Sequence, residues 1–352
     1  MHEPKIYPLT FTPVLRDYIW GGRRLETLYG RELPAGIVAE SWEISGHPVA
    51  STAADAGYWA GQALPAIQAA LGEKLTGSRA AWALARAKFP LLVKLLDANQ
   101  DLSVQVHPDD AYALAHEGGE LGKTEMWYVL HADPGAELIL GVRPGTTREA
   151  FRAALEAHRL ETVLQRVPIR PEQAISIPAG TVHALLAGTV MSEIQQNSDA
   201  TYRVDDWGRV GADGKPRPLQ VDKALDVIDF DPPYPPILGG KQPAGPPTPP
   251  TLGAGEQTPQ SWGAGGRIEL VRNRYFVVEE VTLPAEAAFI GACDGPTLEI
   301  WGCVAGQVVV EWAGKPVSLP AIRYALLPAA LGEFCVTAQV LSTCLRVYLP
   351  EP

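Results

Sequence analysis

Leu102-Ser-Val-Gln-Val-His107, Gly122-Lys-Thr-Glu-Met-Trp-Tyr128 and Ile177-Pro-Ala-Gly-Thr-Val-His-Ala-Leu185 are the segments whose reading decides the fold. A strand turns successive side chains to opposite faces, so Gln105 and His107 look the same way, about 7 Å apart, while Val104 and Val106 look the other. In the third segment Pro178 fixes φ and Gly180 permits a tight bend, which sets His183 at the start of a strand. If His183 and Glu125, the latter on an apolar strand of its own, pack beside that face, two imidazoles, a carboxylate and an amide oxygen converge on one point. A single histidine is more often a surface or hydrogen-bonded core residue than a ligand. The combination points to a metal site.

The chain has 352 residues, which suits two domains of ordinary size, each able to bury its own core. Acidic residues outnumber basic ones by 40 to 29, a formal charge of -11 that argues against nucleic-acid partners. A local group of cations can still hold a small anion. Cys293, Cys303, Cys335 and Cys344 all fall near the end and form no Cys-x-x-Cys pair, so they read as small buried hydrophobes and supply no ligand to the site above. Residues Met1 to Leu15 lack the basic start and apolar core of a signal peptide, and no charge-free apolar run reaches the length of a membrane span. These features predict a cytoplasmic protein without a membrane partner. The oligomeric state is not written in the composition.

Outward from the deciding segments, residues 1–60 are short apolar and aromatic pieces cut by proline and glycine, as strands and turns require. Alanine and leucine at helical spacing from Leu64 to Lys88, broken near Thr76 to Ser78, predict two short helices ended by Pro90. Leu91 to Leu96 predicts a strand with Lys94 at its centre, which must snorkel outward or face a polar cavity. Asp109 and Asp110 predict the cap of a short helix through His116. Glu137 to Val142 reads as a strand, Thr147 to Gln165 as a helix inserted between strands, and Val190 to Gln195 as a strand with Glu193 and Gln195 on one face. Ten of the thirty-two prolines lie between Pro232 and Gly266, which marks a linker. From Ile268 to Tyr348 short β-rich runs return, predicting a second sandwich or small barrel without any histidine. The expected division is 1–231, 232–267 and 268–352.

Two imidazoles with a carboxylate and an amide oxygen, and no thiolate, suit zinc in an open site and equally a non-haem iron. Nearby residues bear on the substrate. Lys94 lies one strand before the Gln-x-His pair, Lys123 two residues before Glu125, and Arg203 and Arg209 flank Asp205 and Asp206. Guanidinium forks match phosphate oxygens, and lysines beside a metal can hold an anion or move protons.

On these residues the sequence resembles the type I mannose-6-phosphate isomerases, in particular the short bacterial form. The matching segments are the three above, extended to Asp110 in the first, together with Tyr18-Ile-Trp-Gly-Gly22, Glu40-Ser-Trp-Glu-Ile-Ser-Gly-His-Pro48, Phe89-Pro-Leu-Leu-Val-Lys-Leu-Leu-Asp-Ala98 and Gln195-Gln-Asn-Ser-Asp-Ala-Thr-Tyr-Arg203. The resemblance implies a mainly β fold of two cupin, or jelly-roll β-barrel, domains with a few short helices in the N-terminal part. It implies one zinc ion per chain held by Gln105, His107, Glu125 and His183, an active-site arginine at Arg203, and interconversion of mannose 6-phosphate with fructose 6-phosphate. The departures are a helical insertion reduced to short pieces at about 62–88, Gly46 where alanine is expected, and the proline-rich linker.

An aldose to ketose isomerisation moves a proton between C1 and C2 through a cis-enediol and needs a base and stabilisation of charge on neighbouring oxygens. The expected parts are Arg203 for the charge or the phosphate, Lys94 as the leading acid or base with Glu43, Glu193 and Lys123 also within reach, and Lys123, Arg209 and Glu193 as substrate contacts. Two rivals remain at this point: an iron-dependent cupin oxygenase on His107, Glu125 and His183, and a non-catalytic, metal-stabilised sugar-binding cupin.

Overall fold

The computed structural model describes residues 5–210, 214–231, 237–238 and 266–351. Strands dominate, in four antiparallel sheets built from alternating apolar runs, beside one short two-stranded ribbon. In the N-terminal part a seven-stranded sheet runs in the order Ile237–Leu238, Ala174–Ile177, Glu125–Ala132, Thr189–Gln196, Leu91–Ala98, Glu40–Ile44, Val14–Arg16. Facing it is a five-stranded sheet in the order Tyr202–Asp205, Val104–Val106, His183–Leu185, Glu137–Val142, Leu164–Pro168. Leu96, Trp127, Val129, Met191, Leu138, Leu140 and Leu185 fill the space between them. Period-two alternation then accounts for the rest. Val104 and Val106 turn to the outer layer with Phe151 and Leu225, and Gln105 is left pointing inward.

The helices are shorter than the sequence predicts. The stretch from Leu64 breaks into Leu64–Leu71, Glu73–Thr76, a 3₁₀ turn at Ser78–Ala80 and Ala81–Leu84, because Gly72 and Gly77 adopt φ of +54° and +81° and interrupt the helical path. The helix expected over Thr147 to Gln165 is confined to Arg148–Glu156, capped by the Thr147 hydroxyl, and gives way through His158 at φ +52° to a 3₁₀ turn and the strand Leu164–Pro168. Asp109 caps Asp110–His116 by accepting from the Tyr112 amide at 2.8 Å, as its position predicts. A Cβ at Gly46 would stand 2.7 Å from that of Phe89, so the close approach of these two segments explains the glycine.

The predicted linker falls outside the described residues, except for Ile237–Leu238, paired with Ala174 and Ile175, and Gly266 and Arg267, which already begin a strand. Five strands ordered Gly266–Arg272, Val277–Leu283, Ser342–Tyr348, Glu299–Ala305, Arg323–Leu327 face four ordered Ala288–Cys293, Gly332–Ala338, Gln307–Glu311, Val317–Pro320. Phe289, Trp301, Cys303, Phe334 and Cys344 fill this second sandwich, and all four cysteines are free thiols. Cores are not wholly separate, however. The outer face of the seven-stranded sheet, with Val93, Leu95, Met126 and Ile194, packs in one continuous cluster with Val278, Ile300, Leu326, Leu345 and Val347 of the C-terminal part. Tyr128 donates to Glu280 at 2.8 Å and Ser192 pairs with Tyr324 at 2.7 Å across this seam. Among the described residues no helix is long and apolar enough to cross a membrane.

Candidate active site

His183 pairs in register with Gln105, and Gln105 with Arg203, so three site residues stand side by side on the inner face of the five-stranded sheet. Glu125 opens the opposing strand, paired with Gln195 and Ile177. The turn that delivers His183 has Thr181 N–H bonded to the Pro178 carbonyl at 3.1 Å with Gly180 at φ +88°, the conformation a type II turn reserves for glycine. Gly180 also donates its N–H to the His107 carbonyl at 2.9 Å, tying the two histidine-bearing segments together.

The side chains converge as the spacing predicts. His107, Glu125 and His183 are buried and offer ligand atoms that all lie within 4.8 Å of one another. Nε2 of His107 is 3.4 Å from Glu125 Oε1, Nε2 of His183 is 3.7 Å from Glu125 Oε2, and the Gln105 amide is 3.3 Å from His183 Nε2. Both imidazoles direct Nδ1 at a backbone carbonyl, His107 at Ala200 and His183 at Thr181, each at 2.9 Å. An N–H donated there leaves Nε2 with a lone pair facing the centre. Burial pushes the His107 imidazole down to about 3, with Lys123 adding to the shift, and burial lowers His183 as well. Burial alone would raise Glu125, yet Lys123 and the two histidines hold it well below the usual carboxylate range. Two neutral imidazoles and an ionised carboxylate are a ligand set.

Glu125 supplies the test of fit. Both of its oxygens are buried and accept no hydrogen bond, Oε1 having only the Lys123 ammonium at 2.8 Å as a charge partner. With Lys123 on Oε1 alone, the buried Oε2 has no partner, which is costly unless a second cation binds it. The residues present therefore fit a divalent metal ion, bound through nitrogen and oxygen without thiolate.

Above these donors opens a cavity of about 350 Å³ whose lining includes Lys94, Lys123, Glu193, Trp127, Arg203 and Arg217. Lys94 faces this cavity rather than snorkelling. It is buried, 3.2 Å from Glu193 and 3.8 Å from Glu40, and lies 4.6 Å from the Trp42 ring centroid. Burial would lower its pKa, but Glu193 and Glu40 more than offset this and raise it, so Lys94 is a fixed ammonium. Glu193 is raised, first by burial and then by Glu125, and accepts from the Trp127 indole at 2.9 Å. Lys123 is buried as well, 3.2 Å from His107 Nε2. Arg203 donates through Nε to Ser103 at 3.2 Å and through Nη1 to the Pro218 carbonyl at 3.0 Å.

Two expectations are corrected. Arg209 does not line the cavity: its Nε and Nη2 are bonded to the Asp206 carbonyl and carboxylate, and its Nη1 to the Asp101 carbonyl. Glu43 points through the sheet to the seam, where Ser41 and Arg31 bind it at 2.6 and 2.8 Å, so it cannot serve as the base. Sequence reading missed Glu40, Trp127 and Arg217. The first two sit inside quoted segments and follow from the alternation once Lys94 and Glu125 are placed. Arg217, in Lys215-Pro-Arg-Pro218, belongs to no periodic run and gave no signal.

Comparison with known proteins follows the same lines. The family described as phosphomannose isomerase type I, catalytic domain, matches residues 9–151. The probable mannose-6-phosphate isomerase GmuF of Bacillus subtilis (strain 168) is 43% identical over 223 residues, 63% of this chain and 68% of that protein. The crystal structure of the mannose 6-phosphate isomerase from Bacillus subtilis superposes with a TM-score of 0.77 at 29% identity, covering 97% of this chain and 99% of that one. A structure of mannose 6-phosphate isomerase bound with zinc and yttrium matches with a TM-score of 0.71 at 17% identity over 98% and 100% of the two chains, a likeness of fold alone.

Proposed function

Since this chain belongs to the type I mannose-6-phosphate isomerases, we propose that it interconverts mannose 6-phosphate and fructose 6-phosphate in the cavity above His107, Glu125 and His183, through a cis-enediol and with one zinc ion. The observation that carries this is the buried cluster of three ligand atoms within 4.8 Å, joined through Gln105 and Lys123 to a cavity lined by four cationic side chains. His107, Glu125 and His183 would hold the ion, with the Gln105 oxygen reaching it after a half-turn of the amide. The donor set favours zinc over the softer-ligand metals. When bound, the ion supplies Lewis-acid stabilisation of negative charge on sugar oxygens.

The chain's own residues divide the remaining work. Lys94, kept charged by Glu193 and Glu40, donates a hydrogen bond to a sugar oxygen and is replaced as the base by Glu193, the buried carboxyl beside it. Glu193 takes the proton from one carbon and returns it to the next, its hold on a proton strengthened by burial and by Glu125. Trp127 fixes the Glu193 carboxylate through its indole N–H. Lys123 and Arg203 stabilise negative charge on the bound substrate. Catalysis lies in residues 1–231, with 268–352 a β unit that covers the outer face of the seven-stranded sheet.

A coupled assay with mannose 6-phosphate as substrate, before and after chelation, tests the proposal. Fructose 6-phosphate should form, cease to form on chelation and return with added zinc; oxygen consumption by an iron-loaded sample would support the oxygenase instead.

A further inference from the structure

We infer that Tyr275, in the C-terminal part, is a positioning residue for Glu125 and acts through the Asp110 carboxylate, an assignment that rests on the metal-loaded isomerase reading above. The backbone leading from Gly122 to Glu125 is held from outside its own strand. Asp110 Oδ1 accepts from the Gly122 amide at 2.8 Å and from Gln196 Nε2 at 3.1 Å. The same Gln196 side chain accepts from the Thr124 amide at 3.0 Å. Between them the Lys123 amide donates to the carbonyl of Pro108, next to His107, at 3.0 Å. One carboxylate oxygen thus sets two of the three amides before Glu125, directly or through Gln196. A Cβ at Gly122 would stand 2.5 Å from the Asp110 amide nitrogen, so the two segments lie as close as backbones can.

The other oxygen of Asp110 is held by the far half of the molecule. Tyr275 donates to Oδ2 at 2.8 Å across a sequence separation of 165. It sits in the turn between the strands Gly266–Arg272 and Val277–Leu283, where Asn273 Oδ1 accepts from the Tyr275 and Phe276 amides at 2.8 and 3.0 Å. The Trp82 ring packs edge-on against the Tyr275 ring, 5.1 Å between centroids, and the tyrosine is buried. Arg86 approaches Oδ1 only to 3.9 Å and is bonded to the carbonyls of Glu120 and Asp110. Among the described residues Tyr275 is therefore the hydrogen-bond donor that fixes Oδ2. The last torsion of an aspartate is soft, so a rigid donor on one oxygen keeps the other in the plane that serves Gly122 and Gln196. Burial alone does not demand this arrangement, because the Asp110 side chain is 19% exposed and water could satisfy it. Partners that orient a ligand from behind tune how tightly the metal is held.

Zinc affinity of the full chain, measured by competition with a chromophoric chelator, tests this without any turnover. Tyr275→Phe is expected to weaken zinc binding about tenfold, the lower end of the range for a lost partner that orients a ligand. Asp110→Ala should lose at least as much. Asp110→Asn, whose Oδ1 can still accept from Gly122 and Gln196, should recover most of that loss. Tyr128→Phe serves as control: it removes another hydrogen bond between the two halves and should lower stability while leaving zinc affinity in place. Unchanged affinity in Tyr275→Phe, or an equal loss in Tyr128→Phe, would reduce Tyr275 to a structural residue and overturn the inference. Should Asp110→Ala fail to fold, the two phenylalanine variants decide alone. A wild type that binds zinc yet leaves mannose 6-phosphate unconverted would sink the isomerase reading, while the affinities would still judge Tyr275.

Discussion

Arg203 stands next to Gln105 in the register of the sheet and opens on the cavity, which places its charge beside the proposed ligands. Arg203→Ala should cut turnover at least about a hundredfold, the usual scale of a lost electrostatic contact to developing charge; near-normal kcat would remove Arg203 from the mechanism. Asp206 carries a different prediction. Burial raises its carboxyl, but hydrogen bonds from Arg217 and Arg209 bring it below the ordinary range. A depressed folded-state pKa adds stability above the unfolded value of about 3.9 and loses it as pH falls toward the folded value. The gap in urea midpoint between wild type and Asp206→Asn should therefore be open at pH 7 and narrow below about pH 4. A gap independent of pH would mean that the carboxylate's charge is irrelevant. His107, Glu125 and His183 were legible because short local chemistry positions each of them. Arg217 was not, because its place depends on Asp206, a contact between segments with no shared periodicity.

Strands, unlike helices, could be read almost to their ends: Glu137–Val142, and Leu91–Ala98 as far as Leu96, follow from their apolar composition. The break at Gly77 was read, but the one at Gly72 was not, since it interrupts a run whose alanine content alone favours continuity. Face assignment also escaped reading for Glu43. Plain alternation nevertheless places it: Glu43 shares the face of Ser41, opposite Glu40 and Trp42 beside Lys94, so the facing had to be counted from those residues. On the strand Glu299–Ala305, a Cβ at Gly302 would meet the Tyr324 ring at 2.1 Å. Gly302→Ala should cost roughly 1–3 kcal/mol by overpacking and pull the Tyr324 hydroxyl from Ser192. Chemical denaturation measures the loss; wild-type stability would show that the ring moves freely.

At the scale of the whole molecule, metal and fold are linked through Glu125, whose buried charge is relieved by a cation. Saturation at a hundred times Kd should add about 2.7 kcal/mol of stability, so chelation should lower Tm and added zinc restore it. An unchanged Tm would separate the metal from the fold. The seam adds a second test: Tyr128→Phe leaves Glu280 without its 2.8 Å donor and should cost about 1–3 kcal/mol. The sequence foretold two β units but not the layer they share, since a run such as Leu91 to Leu96 shows only that both faces are covered, never by what.

That shared layer bears on how substrate gets in. Swinging one half away from the other would strip the apolar surface of two sheets at about 25 cal/mol for each Å² exposed, and it would open nothing, because the cavity lies between the sheets of the N-terminal half alone. Admission is thus a matter for side chains and loops at the cavity's own mouth. A covalent staple across the junction, joining the two sheets that meet there, should leave the catalytic rate untouched.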